Sequence, residues 1–409
     1  MTVTESTASS VDLHYVDADG HVLEHPNAML DYAPEKFHDR IWHIETTGDG
    51  REFVVFDGTR EPANVFAYAA SGGMPPDVQA RAAAGELKYT EIRPGAFDPA
   101  ARLRDLDTER IDQTVLYPTL MLGIASVPDL EFAIAQCQAY NDWLSDFCAS
   151  APDRFFGIAI IPQQDVEAAA AEIRRAAGKP GLVGTFIRPN PVVEWRHFHD
   201  PVYDPMWKAA ADVGWPLGLH PFLAADLPGA VLGLHLNEVR SRTAMEMGGR
   251  LNMDNIFYTQ AIGNPVDMMT ALCFVVAGGV CERYPDLRFI VLETNGGWIT
   301  PWMERLDHHW KTFPFDVPDC KRAPSEYFRR QCYISFDADE ETLLLAAASP
   351  YVGDDRIIWA SDYPHPDAKF PGTVAELTEN IGPLGPEARA NIAWRNAQRL
   401  YDLPNPPDA

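Results

Sequence analysis

Two carboxylates and two imidazoles stand at the ends of short apolar runs that lie far apart in this 409-residue chain. Asp19 and His21 close Tyr15-Val16-Asp17-Ala18-Asp19-Gly20-His21, and His220 closes Trp215-Pro216-Leu217-Gly218-Leu219-His220. Asp362 closes Ile357-Ile358-Trp359-Ala360-Ser361-Asp362, and the Pro-rich Tyr363-Pro364-His365-Pro366-Asp367 then bars the strand from continuing. An ionised carboxylate at the mouth of a buried strand needs a compensating charge, which an arginine, a lysine or a metal ion can supply. Residues two apart on an extended chain face the same way, so Asp19 and His21 can reach one ion. With His220 and Asp362 they form a mononuclear set in which two carboxylates neutralise a divalent charge and two neutral imidazoles add nitrogen ligands. Such a set leaves room for a water or a substrate oxygen. Imidazole favours zinc and extra carboxylate favours manganese, so the expected cofactor is one divalent ion, zinc ahead of manganese.

Other polar groups sit where they could act beside such an ion. Glu293 ends Leu287-Arg288-Phe289-Ile290-Val291-Leu292-Glu293, and a carboxyl there shuttles a proton if a low dielectric raises its pKa. Its alternative role is to orient His220. Asp362 is a candidate for proton transfer as well as for ligation, and His365 either contacts substrate or supports Asp362. Arg188, at the end of Leu182–Ile187, can hold an anionic substrate group bidentately or form an internal ion pair. Tyr117 and Trp298 complete the expected substrate contacts, although Trp298 and Trp302, four apart, equally suit helix packing. Asp17 is expected to stand behind the ligands.

These residues need a scaffold that gathers distant strand ends. Strand-like runs have tips near Asp19, Tyr117, Ile161, Arg188, His220, Glu293, Asp337 and Asp362, and helical periodicity fills most of the gaps. The helices are expected at 130–149, 166–177 capped by Asp165, 203–213, 264–282, 298–310, 339–348 and 387–402, with a helical patch near 236–249. Eight β/α units with polar residues at the strand C-termini predict an α/β protein, a (β/α)8 TIM barrel with long insertions. A doubly wound open sheet is disfavoured, because no glycine-rich phosphate loop follows any strand and only closure brings the first, fifth, sixth and eighth tips together. The expected organisation is a polar tail over 1–12, a single barrel domain over 13–402 and a tail over 403–409. An irregular insertion at about 22–99, with a hairpin around 51–58, should lie over the strand ends, where lids and binding loops belong.

The composition is that of a soluble globular enzyme, with 46% hydrophobic and 22% charged residues. A formal charge of −26, from 33 Lys+Arg against 59 Asp+Glu, makes nucleic acid and anionic membrane surfaces poor partners and points to a small-molecule substrate. Six cysteines show no CxxC pairing and read as reduced, packed thiols. Neither a signal-peptide pattern nor a membrane-length apolar run is present, so a cytoplasmic location is expected.

Several motifs together resemble one known group. They are Val16-Asp17-Ala18-Asp19-Gly20-His21, the Arg104–Pro118 stretch, Pro152-Asp153-Arg154-Phe155-Phe156-Gly157, Gly218-Leu219-His220-Pro221, Glu282-Arg283-Tyr284-Pro285-Asp286-Leu287-Arg288, Gly296-Gly297-Trp298 and Ser361-Asp362-Tyr363-Pro364-His365-Pro366. The chain resembles the amidohydrolase-related family, which includes aminocarboxymuconate-semialdehyde decarboxylase and the hydroxybenzoate and resorcylate decarboxylases. The resemblance implies a metal-dependent barrel enzyme with ligands Asp19, His21, His220 and Asp362, and implies a homodimer or higher homo-oligomer. Two positions depart from the family pattern. The first-strand pair is commonly His-x-His or Glu-x-His and here is Asp19-x-His21, and Glu293 stands where the decarboxylases place an acid/base histidine. The expected activity is decarboxylation of a small carboxylated, aromatic-derived or oxo-acid substrate with Glu293 as proton donor. The alternatives are metal-hydroxide hydrolysis of a C–C or C–N bond and a metal-binding barrel without catalysis.

Overall fold

The computed structural model describes residues 13–239 and 255–406. Eleven strands are assigned: β1 (Val16–Val22), β2 (His43–Thr46), β3 (Glu52–Phe56), β4 (Thr59–Pro62), β5 (Gln113–Pro118), β6 (Phe155–Ala159), β7 (Leu182–Ile187), β8 (Leu217–Leu219), β9 (Phe289–Val291), β10 (Cys332–Asp337) and β11 (Ile357–Ala360). Eight of them form one parallel sheet in the order β1-β5-β6-β7-β8-β9-β10-β11. Helices cover its outer face, so these strands are buried on both faces and read in sequence as nearly continuous apolar runs. The last strand returns to the first. The backbone N–H of Asp362 donates to the carbonyl of Asp19 at 3.1 Å, and that of His21 donates to the carbonyl of Tyr363 at 2.8 Å. The expected (β/α)8 barrel is the observed fold.

Helices occupy Leu130–Ala149, Val166–Ala176, Asp204–Val213 and Ile299–Thr312 close to the expected positions. Asp165 caps the second of these, accepting from the N–H of Ala168 at 2.9 Å. The helix expected over 264–282 divides into Asn264–Val276 and Val280–Arg283, because Gly279 takes a left-handed φ of 85° that ends one helix and starts the next. Outside the insertion, three described helices of eight or more residues were not expected: Pro99–Glu109, Pro324–Gln331 and Thr373–Asn380. The first two carry proline in their first turn, a start signal in segments otherwise lacking a clear apolar stripe. Of the patch expected near 236–249, only the short turn Leu236–Glu238 is described, and 240–254 lie outside the described residues.

The insertion is more regular than its sequence suggests. Strands β2, β3 and β4 form an antiparallel sheet, with the expected hairpin turning at Asp57 and Gly58, both at positive φ as a tight two-residue turn requires. The chain end is also more packed than a tail. Leu403 and Pro406 are buried, and the Gln113 amide donates to the Pro404 carbonyl at 3.1 Å. All six cysteines are free, and five are buried. Among the described residues no helix is long and apolar enough to cross a membrane.

The barrel closes on a buried carboxylate. Asp17 accepts from the backbone N–H of Ser361 at 2.9 Å, from the Ser361 hydroxyl at 2.8 Å and from the Thr114 hydroxyl at 2.9 Å. Next to it the buried guanidinium of Arg102 donates to the carbonyls of Gly95 (2.7 Å), Tyr363 (3.3 Å) and His21. One side chain thus ties the first strand, the second barrel strand and the residue after the last. Asp17→Ala leaves these donors unsatisfied in a dry seam and should lower stability by about 3 kcal/mol, read as a fall in the urea midpoint at unchanged slope. A loss under about 1 kcal/mol would mean that other contacts hold the seam.

Candidate metal centre

The first barrel strand is not regular, and its irregularity sorts its acids. Asp17 pairs with Thr114 and Gly20 with Leu116, so three steps along β1 match two along β5. This bulge breaks simple alternation. It leaves Asp17 on the seam, while Asp19 and His21 face the C-terminal mouth. Gly20 is required there, since a Cβ would lie 2.5 Å from Asp17 Oδ2 and 2.7 Å from Thr114 Oγ1.

At the mouth Asp19, His21 and His220 bring their ligand atoms within 4.8 Å of one another, and Asp362 joins through His21 in a second such group with His365. His21 Nε2 is 3.6 Å from Asp19 Oδ1 and 3.4 Å from Asp362 Oδ1, and His220 Nε2 is 3.9 Å from Asp19 Oδ1. Such separations are those between ligands that each sit about 2.1 Å from a shared ion. The tautomers follow from the backbone. Nδ1 of His21 meets the Pro118 carbonyl and Nδ1 of His220 meets the Pro221 carbonyl, each at 2.8 Å. A carbonyl can only accept, so each ring keeps its proton on Nδ1 and presents a lone pair at Nε2. Asp19 Oδ1, His21 Nε2 and His220 Nε2 are all buried without a hydrogen-bond partner. Three buried acceptors facing one another are unfavourable unless a cation lies between them, and the donor set fits a divalent metal.

The electrostatics lead to the same need. Burial first, then the neighbouring Asp362 and Glu293, push the Asp19 carboxyl well above its ordinary value. Burial and Asp362 do the same to Glu293, and burial with Asp367 to Asp362. The imidazoles shift the other way: burial, then His365 and His220, depress His21, and burial lowers His220 to about 3. Both histidines are therefore held neutral, as metal ligands must be.

Asp362 and Glu293 both sit at left-handed φ, 52° and 48°, at the ends of β11 and β9. Such backbone costs about 1–3 kcal/mol per residue and is found where function demands it. Glu293 lies beside His220, with Oε2 3.3 Å from Nδ1, and lines cavities on both sides of the centre. Nδ1 of His220 meets the Pro221 carbonyl at the shorter distance of 2.8 Å, and the Glu293 carboxyl stands beside the same nitrogen, where the expected role of orienting His220 would place it. His365 joins Asp362 Oδ1 through Nδ1 at 2.7 Å and meets the Thr119 hydroxyl through Nε2 at 3.2 Å.

Two residues missed in the sequence support this arrangement. Thr119 follows β5, and its loop is pinned by buried Glu24, whose carboxylate faces the N–H groups of Thr119 (3.3 Å), Leu120 (3.1 Å) and Met121 (3.0 Å). The available signal was an acid placed directly after the apolar Val22-Leu23. Burial raises the Glu24 carboxyl from 4.5 to about 7 against the pull of those donors. The folded state therefore binds this proton more tightly than the unfolded state, so the stabilisation is whole below about 4.5 and is lost as pH rises through about 7. Glu24→Gln should flatten that slope by up to about 3 kcal/mol, measured by urea unfolding of both proteins in EDTA across this range. Parallel profiles would assign the slope elsewhere.

Three expected substrate contacts are placed differently. Tyr117 is fully buried beneath the centre, stacked on His220 at 5.4 Å, with its hydroxyl bonded to that of Tyr401 at 3.0 Å, so it sets the ring rather than touching substrate. Arg188 is buried and forked onto Asp226, at 3.0 and 3.2 Å, so its charge is already matched. Trp298 packs against the core, its indole N–H donating to the Thr294 carbonyl at 3.2 Å, and it lines none of the three cavities at or beside the centre. The packing alternative holds for it.

Comparison with known proteins agrees with the fold. The amidohydrolase family model matches residues 16–403. The chain is 26% identical over 320 residues to the 2-amino-3-carboxymuconate-6-semialdehyde decarboxylase of Dictyostelium discoideum, covering 77% of this chain and 79% of that one. It is 26% identical over 322 residues to a gamma-resorcylate decarboxylase of Polaromonas sp., covering 77% and 91%. A solved Polaromonas sp. dihydroxybenzoic acid decarboxylase, with bound manganese and the inhibitor 2-nitroresorcinol, superposes with a TM-score of 0.63 at 21% identity, covering 96% and 97%. The chain belongs to the amidohydrolase family.

Proposed function

We propose that this protein is a metal-dependent decarboxylase of a small aromatic carboxylate. The observation that carries the reading is the buried, unpartnered trio Asp19 Oδ1, His21 Nε2 and His220 Nε2, with Asp362 and Glu293, whose carboxyl burial pushes well above its ordinary value, at the same mouth. The decarboxylases similar to the chain support it. Asp19, His21, His220 and Asp362 hold the ion, which when bound supplies Lewis acidity to the oxygens of the substrate. Glu293 donates its proton to the ring carbon that bears the carboxylate. The carbon–carboxylate bond then breaks, its electron pair returns to the ring, carbon dioxide leaves, and Glu293 regains a proton from solvent. His365 steadies Asp362, and Thr119 steadies His365.

Zinc is favoured by the two imidazoles. Manganese is favoured by the two carboxylates and by its presence in the solved relative, and we take manganese as the first ion to test. The homodimer expected from the family resemblance has support in the exposed apolar residues Leu234, Phe257, Tyr258, Ile262 and Val266. Sedimentation showing only monomer at micromolar concentration would remove it. The free thiols support a cytoplasmic location.

Elemental analysis of purified protein should find one divalent ion per chain, lost in Asp362→Ala and kept in Glu293→Gln. The latter should release carbon dioxide at least about a hundredfold more slowly. In deuterated water the product should carry deuterium at the carbon that lost the carboxylate. Metal retained by Asp362→Ala would overturn the site, and product oxygen derived from 18O-water would replace decarboxylation by hydrolysis.

A further inference from the structure

Two cavities reach the metal centre and a third adjoins one of them, and their walls differ in character. The one reached directly from Glu293 and His365 has a volume of about 450 Å³. Its walls are mainly apolar, built from Phe66 and Tyr68 of the insertion, Leu120 and Leu122 after β5, and Phe222 and Leu223 after β8, with Glu61, Gln260 and Asp367 at its edge. A second cavity of about 550 Å³ adjoins it, sharing Glu61, Phe66, Leu120, Phe222 and Ala224 and continuing to Trp42 and Phe56. Either volume alone falls within the range of about 300–1,000 Å³ that accommodates a drug-sized ligand. Together they form an apolar corridor leading away from the reacting group.

Charge narrows the occupant further. Among the described residues, no lysine or arginine lines any of the three cavities, whereas Glu61 and Asp226 line the corridor. The third cavity, about 240 Å³ on the other side of the centre, is lined by Asp337 and Asp367 as well as Asp19, Glu293 and Asp362. Arg188, whose guanidinium lies against the Phe222 ring of the corridor wall, is matched by Asp226. A second carboxylate on the substrate would therefore be desolvated among acids in either direction.

We infer that the substrate is an aryl monocarboxylate bearing an uncharged, apolar extension of several carbons, alkyl chain or second ring, that lies in the Phe66–Leu120–Phe222 corridor. This rests on the decarboxylase reading for the carboxylate end only. The insertion, which builds one wall, is then the element that selects substrate length.

The test is calorimetric binding to the manganese-loaded protein of 2-hydroxybenzoates carrying n-alkyl groups of increasing length at each free ring position in turn. At one position affinity should rise about fourfold per methylene over at least about four carbons, as burial of each CH₂ requires. No rise at any position would overturn the proposal. Ending the best chain in a carboxylate should weaken binding at least tenfold, and unchanged affinity would overturn the uncharged extension. Ala224→Trp, filling the junction of the two cavities, should abolish the gain from chain length. Equal gains in wild type and variant would overturn the corridor. Chain-dependent binding without carbon dioxide release would support the corridor and refute the reaction. Carbon dioxide from the unsubstituted acid with no chain-dependent binding would do the reverse.

Discussion

The closing seam of the barrel is the constraint on which the rest of the molecule depends. The Asp17 carboxylate is buried, and its shorter accepted bonds come from the two strands that flank β1: Thr114 on β5 and Ser361 just after β11. Arg102 closes the same junction from outside through carbonyls on both sides of it. The ligands are distributed across this seam, with Asp19 and His21 on one side and Asp362 on the other. A seam shifted by one residue would reverse the facing of each side chain along β1 and separate the set.

Above the seam the chain gathers charge that it does not itself neutralise. Asp19, Glu293, Asp337, Asp362 and Asp367 share one cavity wall, and no basic side chain among the described residues lines it. Water alone does not relieve this, because Asp19 is almost completely buried. The neutral histidines, locked by carbonyls into one tautomer, add lone pairs rather than protons. Such a cluster is stable only with protons or a cation, and the two choices correspond to the metal-free and metal-loaded states. The left-handed backbone of Asp362 and Glu293 adds strain on the side of function.

The same mouth separates two kinds of surface. On one side it opens on acids, and on the other on an aromatic and aliphatic corridor whose far wall is the small sheet and helical turns of the insertion. Loops after β5 and β8 complete that corridor. The proposed catalytic residues thus sit at the ends of barrel strands, and the walls proposed to select substrate come from the insertion and the loops after β5 and β8.

Much of this was legible in the chain. Apolar runs ending in Asp19, His21, His220, Glu293 and Asp362 identified the strand ends, because a strand buried on both faces is mostly apolar along its length and opens to polar surroundings at its end. Eight such runs implied closure. Residue type also determined the chemistry, since two carboxylates and two imidazoles suit a divalent ion. What the tertiary structure alone decided is which group meets which. The partner of Arg188 is Asp226, on a different loop, and no periodicity relates the two. Tyr117 ends a strand as the ligands do, but its long side chain lies under His220 and reaches Tyr401 near the chain's end. The bulge that divides Asp17 from Asp19 is visible only in the pairing with β5. Strand alternation and residue type are local properties and can be read along the chain, whereas ion pairs, stacking and register are set by packing between segments hundreds of residues apart.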